Sequence, residues 1–156
     1  MDPRELLPHR PPFLLLDSID EMSLERAAGR VRYHADAFYF RGHFPGHPVV
    51  PGVIQLESMG QLVVALGLHN ARELRIPVEN FYFASCTDCH FHRVLGPDDQ
   101  VVVTAEKQWL RHRAIHATAT LRDATTGALI AEATIRGMGA QETTHASHQA
   151  HKENHS

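Results

Sequence analysis

Pro45, Pro48 and Pro51 recur every third residue through the stretch GHFPGHPVVPGV, Gly42 to Val53. Each proline fixes its own φ and biases its predecessor towards extended backbone, so this stretch is a stiff loop that no helix can enter. After Pro51-Gly52 the pattern changes abruptly. Val53, Ile54, Leu56, Met59, Leu62 and an apolar run from Val63 to Leu66 follow with no proline until Pro77. Pro51 suits a first helical turn, where its missing amide proton costs nothing. The pattern predicts a helix from about Gly52 to His69, about 27 Å long at ~1.5 Å per residue. It is apolar on nearly every side, the mark of a helix buried all round.

Two ionisable groups stand in this apolar setting: His43 in the loop and Glu57 in the second helical turn, fourteen residues later. An unpaired carboxylate is costly to bury, and burial raises a carboxyl pKa and prepares it to act as an acid. The residues alone leave a second reading open, in which Glu57 only reaches the protein edge or a subunit interface.

The remaining chain sorts into strands. Asp2 caps a short helix to Leu7 with Pro3 in its first turn. Pro11-Pro12 leads into an extended Phe13–Leu16, and Arg26–Tyr33 reads as a strand paired with the one before it. Ala37–Phe40 is aromatic and leads into the motif loop. Phe81–Arg93, Gln100–Leu110, Ala114–Arg122 and Ala128–Arg136 carry β-favouring residues, separated by turn chemistry at Pro97-Asp98-Asp99 and Thr125-Thr126-Gly127. One long buried helix followed by strand pairs makes an α+β domain, an antiparallel sheet wrapped around the helix. It covers residues 1–140. The tail 141–156, QETTHASHQAHKENHS, has no apolar residue larger than alanine and is expected to be disordered and His-rich.

Composition excludes several classes. A net charge of −3 leaves no nucleic-acid footprint. No run of about 18 apolar residues exists to span a membrane, and the opening residues lack the apolar core of a signal peptide. With two cysteines and no export signal, a cytoplasmic location is expected. Cys86-Thr87-Asp88-Cys89-His90-Phe91-His92 resembles half a zinc site. Regular strand alternation puts Cys86 on one face with His90 and His92, and Cys89 on the other, so no metal is expected there. No Gly-rich nucleotide loop and no Gly-x-Ser-x-Gly elbow occurs.

GHFPGHPVVPGV followed by LESMGQ resembles the signature of β-hydroxyacyl-acyl carrier protein dehydratases of the FabZ type, including the His43 to Glu57 spacing. HRPPFLLLD near the amino terminus is a second match. Val50, Ser58 and Gly60 depart from the family's usual residues. The resemblance implies a hotdog fold and a hydro-lyase with no cofactor. It implies His43 as base, Glu57 as acid or water positioner, and the Gly52 amide as donor to the substrate carbonyl. His47 is implied to support the loop, and Glu57 with His47 favours the non-isomerising branch. Val53, Ile54, Met59, Tyr82 and Phe83 are candidates to contact the acyl chain, with plain core as their alternative role. The implied partner is acyl carrier protein with a phosphopantetheine arm, met by Arg93, Arg111, Arg113 and Arg136. A homodimer sharing its sites, often three such dimers in a hexamer, is implied too. A hotdog thioesterase and a non-catalytic acyl-binding subunit are the competing functions.

Overall fold

The computed structural model describes residues 1–140; the expectation for 141–156 lies outside them. Six strands form one antiparallel sheet: β1 (Ser18–Met22), β2 (Arg26–Arg32), β3 (Asn80–Phe91), β4 (Gln100–Arg111), β5 (Ala114–Asp123) and β6 (Leu129–Ala140). Their order is β1-β2-β4-β5-β6-β3, so β3, which follows the helix in sequence, lies at one edge. The helix α1 (Gly52–Glu73) packs against β2 to β6. This is the hotdog arrangement, an α+β fold whose core lies between the helix and one sheet face. No helix among the described residues is long and apolar enough to cross a membrane.

The helix runs one turn beyond the expected His69 because Asn70 and Ala71 are also buried. Asn70 is fully buried and donates from Nδ2 to the Leu66 carbonyl at 2.9 Å, while its Oδ1 accepts from Lys107 Nζ at 3.0 Å. The polar sequence there is thus paired inside the fold. The helix stops where Arg75 takes a left-handed φ of 54° and the Ile76 amide returns to the Ala71 carbonyl at 2.8 Å. That is a Schellman ending with arginine in the usual glycine position.

Phe13–Leu16 is not the first strand. With Pro11 and Pro12 supplying no N–H, the amides of Phe13 and Leu14 fold back onto the Arg10 carbonyl at 3.0 and 3.1 Å. The strand starts at Ser18 and pairs with β2 through Ser18↔Arg30 and Met22↔Ala27. The expected short helix is a 3-10 turn, Pro3–Glu5, capped by Asp2. Ala37–Phe40 likewise resolves into a 3-10 turn, Phe38–Arg41. The four later strands fall within a few residues of their expected bounds.

Close approach between α1 and β3 is arranged by glycines two helical turns apart. A Cβ on Gly67 would stand 3.0 Å from the Phe81 ring and 3.3 Å from Ile115; on Gly60, 2.9 Å from Phe83; on Gly52, 3.2 Å from Phe91. Three aromatic rings of one edge strand therefore rest on three bare positions of the helix.

These contacts predict two different outcomes for one substitution. Phe81 is buried and Phe83 is 43% exposed. At Gly67→Ala, overpacking of ~1–3 kcal/mol outweighs the ~1 kcal/mol helix-propensity gain, and Tm should fall by about 3 °C. At Gly60→Ala the exposed ring swings aside, and thermal unfolding should stay within about 1 °C of the parent.

Candidate active site

The loop that carries His43 is built by its prolines and glycines. Pro45-Gly46 forms the centre of a tight turn, with Gly46 at φ 74°, the type II geometry that requires glycine. The Phe44 and His47 main chains bond reciprocally at 3.0 and 2.9 Å. Val49 N–H donates to the His43 carbonyl at 2.8 Å and Val50 N–H to the Leu95 carbonyl at 2.8 Å, anchoring the loop to the fold. His47 contributes through its main chain; its side chain is exposed.

His43 is half-buried, its ring stacked on Phe44 at 4.2 Å. Its Nδ1 lies 2.9 Å from the Val49 carbonyl. A carbonyl only accepts, so Nδ1 carries the proton and Nε2 keeps its lone pair. The ring is held as a base with its basic nitrogen turned away from the main chain.

At the helix start, Pro51 O accepts from the Ile54 and Gln55 amides at 3.0 and 3.1 Å. The Gly52 and Val53 amides have no acceptor among the described residues. They are free donors at the positive end of a 22-residue helix. The space over Gly52 is taken by the Phe91 ring, so the missing side chain there serves helix–strand packing.

Glu57 is half-buried one turn further on. Its Oε1 accepts from Gln61 Nε2 at 2.9 Å and lies 3.7 Å from His9 Nε2. Gln61 is itself held at both ends: Nε2 also donates to the Phe13 carbonyl at 2.7 Å, and Oε1 accepts from the Leu15 amide at 2.9 Å. So the amino-terminal segment fixes the orientation of Glu57. Within one chain, His43 and Glu57 share no hydrogen bond or ion pair among the described residues.

His9 and Gln61 were missed from sequence. Gln61 is four residues beyond Glu57, on the same helix face, a signal available in the chain; His9 is far away in sequence. Ser58 is fully buried, donating to the Ile54 carbonyl at 2.9 Å and lying 3.1 Å from the buried Tyr33 hydroxyl, whose pKa burial pushes up. Of the acyl-contact candidates, Met59 and Ile54 sit in the core, and Val53 on α1 is 73% exposed; on β3, Phe83 is partly exposed on the helix side, whereas Tyr82, paired with Met138, is 59% exposed on the outer face.

The cysteine motif is arranged differently from a regular strand. β3 carries two register shifts, at Phe83/Ser85 and Thr87/His90, with Asp88 at φ 49°. Cys86 pairs with buried Ile135 and so faces the helix. The bulge turns Cys89 to the same side, beside Cys86; burial and that neighbour push its thiol up to about 11. His90 pairs with Glu132, and His92 Nε2 contacts Glu132 Oε1 at 3.0 Å on the outer face. The two thiols and two imidazoles are on opposite faces. No metal-holding cluster of three or more such groups occurs among the described residues.

The basic candidates are also dispersed. Arg93 bonds Asp123 at 2.7 Å, and Arg136 lies over the Trp109 ring at 5.3 Å. Arg111 and Arg113 flank the β4–β5 turn, where the Gly139 amide bonds the Arg113 carbonyl. That turn lies towards the carboxyl-terminal end of α1, where Ile115 packs against Gly67 and Lys107 bonds Asn70.

The FabA-like domain family matches residues 7–134. Among curated proteins, the 3-hydroxyacyl-[acyl-carrier-protein] dehydratase FabZ of Klebsiella pneumoniae (strain 342) is 42% identical over 108 residues, 66% of this chain and 70% of that protein. FabZ of Sodalis glossinidius is 40% identical over 105 residues, 65% of this chain and 68% of that one. Among solved structures, the dehydratase heterocomplex ApeI:P from Xenorhabdus doucetiae superposes with a TM-score of 0.78 over 92% of this chain and 93% of that one, at 13% identity. AziG of S. sahachiroi gives 0.65 at 14% identity, covering 88% and 99%. These two likenesses establish the fold.

The double anchorage of Gln61 is testable. Gln61→Leu leaves the Phe13 carbonyl and Leu15 amide unpaired, at about 1 kcal/mol each. Denaturant unfolding should report a loss of about 1–2 kcal/mol, and the Leu15 amide should exchange with solvent at least tenfold faster. Unchanged Leu15 exchange would show that its protection comes from elsewhere.

Proposed function

The chain belongs to the FabA-like domain family, and on that premise we propose that it dehydrates (3R)-hydroxyacyl-[acyl carrier protein] to the trans-2-enoyl product. The observation that carries this reading is the His43 ring. Its Nδ1 is tied to the Val49 carbonyl, leaving Nε2 as a base, in the loop directly before a helix with free Gly52 and Val53 amides. The Klebsiella and Sodalis relatives are dehydratases of this name.

The chemistry follows from those groups. The substrate thioester oxygen accepts from the Gly52 and Val53 amides, where the helix terminus stabilises the negative charge that develops on it. His43 Nε2 takes the C2 proton. The C2 electrons form the C2–C3 double bond as the C3–O bond breaks. The departing hydroxyl takes the Glu57 proton and leaves as water. The imidazolium and carboxylate left behind exchange one proton to restore the starting state, so the reaction requires no redox step.

The site is proposed to be shared between two copies. In one chain His43 and Glu57 do not meet, and β3 is a sheet edge with exposed Tyr82, Phe83 and Phe91. Such an edge is a template for pairing with another strand. Two-fold pairing of β3 is antiparallel and sets the Phe91 end of one copy beside the Asn80 end of the other. The helix end that carries the Arg111–Arg113 turn then comes beside the other copy's Gly52. Those arginines are thereby proposed to meet the acidic carrier protein. Val53 and Phe83 are proposed to face the acyl chain, with Ile54 and Met59 behind them; Tyr82, paired with exposed Met138, lies on the outer face of the sheet and is not part of that surface.

Incubation of the protein with 3-hydroxyacyl carrier protein, with products identified by mass, tests the activity. Loss of water supports the proposal, while free acid would indicate thioester hydrolysis instead. His43→Ala and Glu57→Gln should each lower kcat by about 100-fold or more with the fold intact. Mixed subunits of the two variants should regain part of the activity, up to about a quarter at full exchange with random pairing. No recovery despite verified exchange would exclude sharing.

Electrostatic docking chiefly raises the association rate and is screened by salt. Charge reversal at Arg111 and Arg113 should therefore lower kcat/KM for carrier-bound substrate by about tenfold and spare a short pantetheine thioester. Equal losses on both substrates would exclude docking at this turn.

A further inference from the structure

His9 is the one titratable side chain that contacts Glu57 among the described residues. It comes from the segment before β1, held in place by Arg10, whose Nη1 donates to the Leu7 carbonyl at 2.8 Å and the His9 carbonyl at 2.7 Å. The His9 ring presents Nε2 to Glu57 Oε1 at 3.7 Å. Its other nitrogen, Nδ1, is buried with no hydrogen-bond partner among the described residues. A buried polar atom without a partner destabilises the fold, so packing alone gives no reason for histidine. A leucine of similar size would fill the same space without that penalty.

The unpartnered Nδ1 also fixes the neutral tautomer. A bare lone pair is easier to bury here than an N–H with no acceptor, so the proton goes to Nε2, which faces the carboxyl group across 3.7 Å. Gln61 Nε2 donates to Oε1 at 2.9 Å, and the His9 Nε2–H stands further off at 3.7 Å. As negative charge develops on Glu57, the Gln61 bond and the nearby imidazole N–H both stabilise it.

Building on the dehydration reading above, we propose that His9 is a positioning residue for the reaction, acting through Glu57. It keeps an imidazole N–H facing the Glu57 carboxyl group and stabilises the carboxylate formed as the C3 hydroxyl departs. This stabilisation grows as charge develops on Glu57 and is weak in the substrate complex. It therefore belongs to kcat and leaves KM largely unaffected.

Three full-length proteins test this: the parent, His9→Leu and His9→Gln. Glutamine carries its N–H where the imidazole carries Nε2–H, whereas leucine fills volume and offers no donor. On a 3-hydroxyacyl carrier protein substrate, His9→Leu should lose about tenfold in kcat, as for one charge-assisted hydrogen bond, with KM within about twofold. Its Tm should equal or exceed that of the parent, because the unpartnered nitrogen is gone. His9→Gln should recover at least half of the lost rate. A His9→Leu kcat at the parent level would overturn the inference, as would a rate loss accompanied by a lower Tm with no rescue by glutamine, which is the pattern of a packing role. A parent protein that makes no enoyl product would instead overturn the dehydration reading, and this inference with it.

Discussion

The contact on which the rest of the structure depends is the one between α1 and β3. Gly52, Gly60 and Gly67 lie two turns apart along the helix, beneath Phe91, Phe83 and Phe81. Glycine is a poor helix former, by ~1 kcal/mol relative to alanine, and three in one helix weaken it as an isolated element. Burial of Phe81 against Gly67 offsets part of that loss, a fully buried phenylalanine contributing about 1.5–3 kcal/mol, while Phe83 and Phe91 stay partly exposed. The helix is stable only against its strand, and β3, hydrogen-bonded on one side alone, is held in register by the helix beneath it. A side chain at Gly67 would press on the buried Phe81 and on Ile115 and strain the sheet edge where a second copy is proposed to bind.

Much of this was legible in the chain because it follows from local rules. Pro51-Gly52 marks the start of the helix, and the apolar run requires burial. Strands β4 to β6 alternate regularly and fall within a few residues of their expected bounds. The failures have a common cause in non-local partners. Asn70 looks like a helix terminator until Lys107 is brought to it by the fold. Phe13–Leu16 looks like a strand until the Leu15 amide finds Gln61, 46 residues away. For the cysteines the failing assumption was periodicity itself. A bulge adds a residue to one strand and changes the phase of every later side chain, so Cys89 joined Cys86 on the helix side and the two histidines turned outward. Nothing in the composition of Thr87-Asp88 announces the left-handed turn at Asp88.

The candidate site was legible in part for the same reason. His43, Glu57 and Gly52 are in one continuous stretch with a recognisable spacing. The groups that orient two of them are elsewhere or are main chain: the Val49 carbonyl for the His43 ring, and Gln61 with His9 for Glu57. A sequence motif records the reacting groups better than the atoms that aim them, because a carbonyl can be supplied by any residue type.

That division bears on why a shared site is workable at all. Each proposed reacting group is oriented entirely within its own chain. A loop closed by the Pro45-Gly46 turn and anchored at Leu95 holds His43 in one tautomer. A helix residue braced by the amino-terminal segment holds Glu57 with one oxygen occupied. A second copy has no need to induce a conformation or select a rotamer; it has only to supply the distance between two preorganised groups. Association energy is then not consumed in ordering the site. An interface made by an edge strand suits this role, because its main-chain register sets spacing in discrete steps of one residue pair. A slip in that register would separate His43 from Glu57 by several ångströms and turn the side chains of β3 to the wrong face. The bulges of β3 and the rings seated on the helix glycines oppose such a slip, so the packing that stabilises one chain would also set the geometry of the proposed pair.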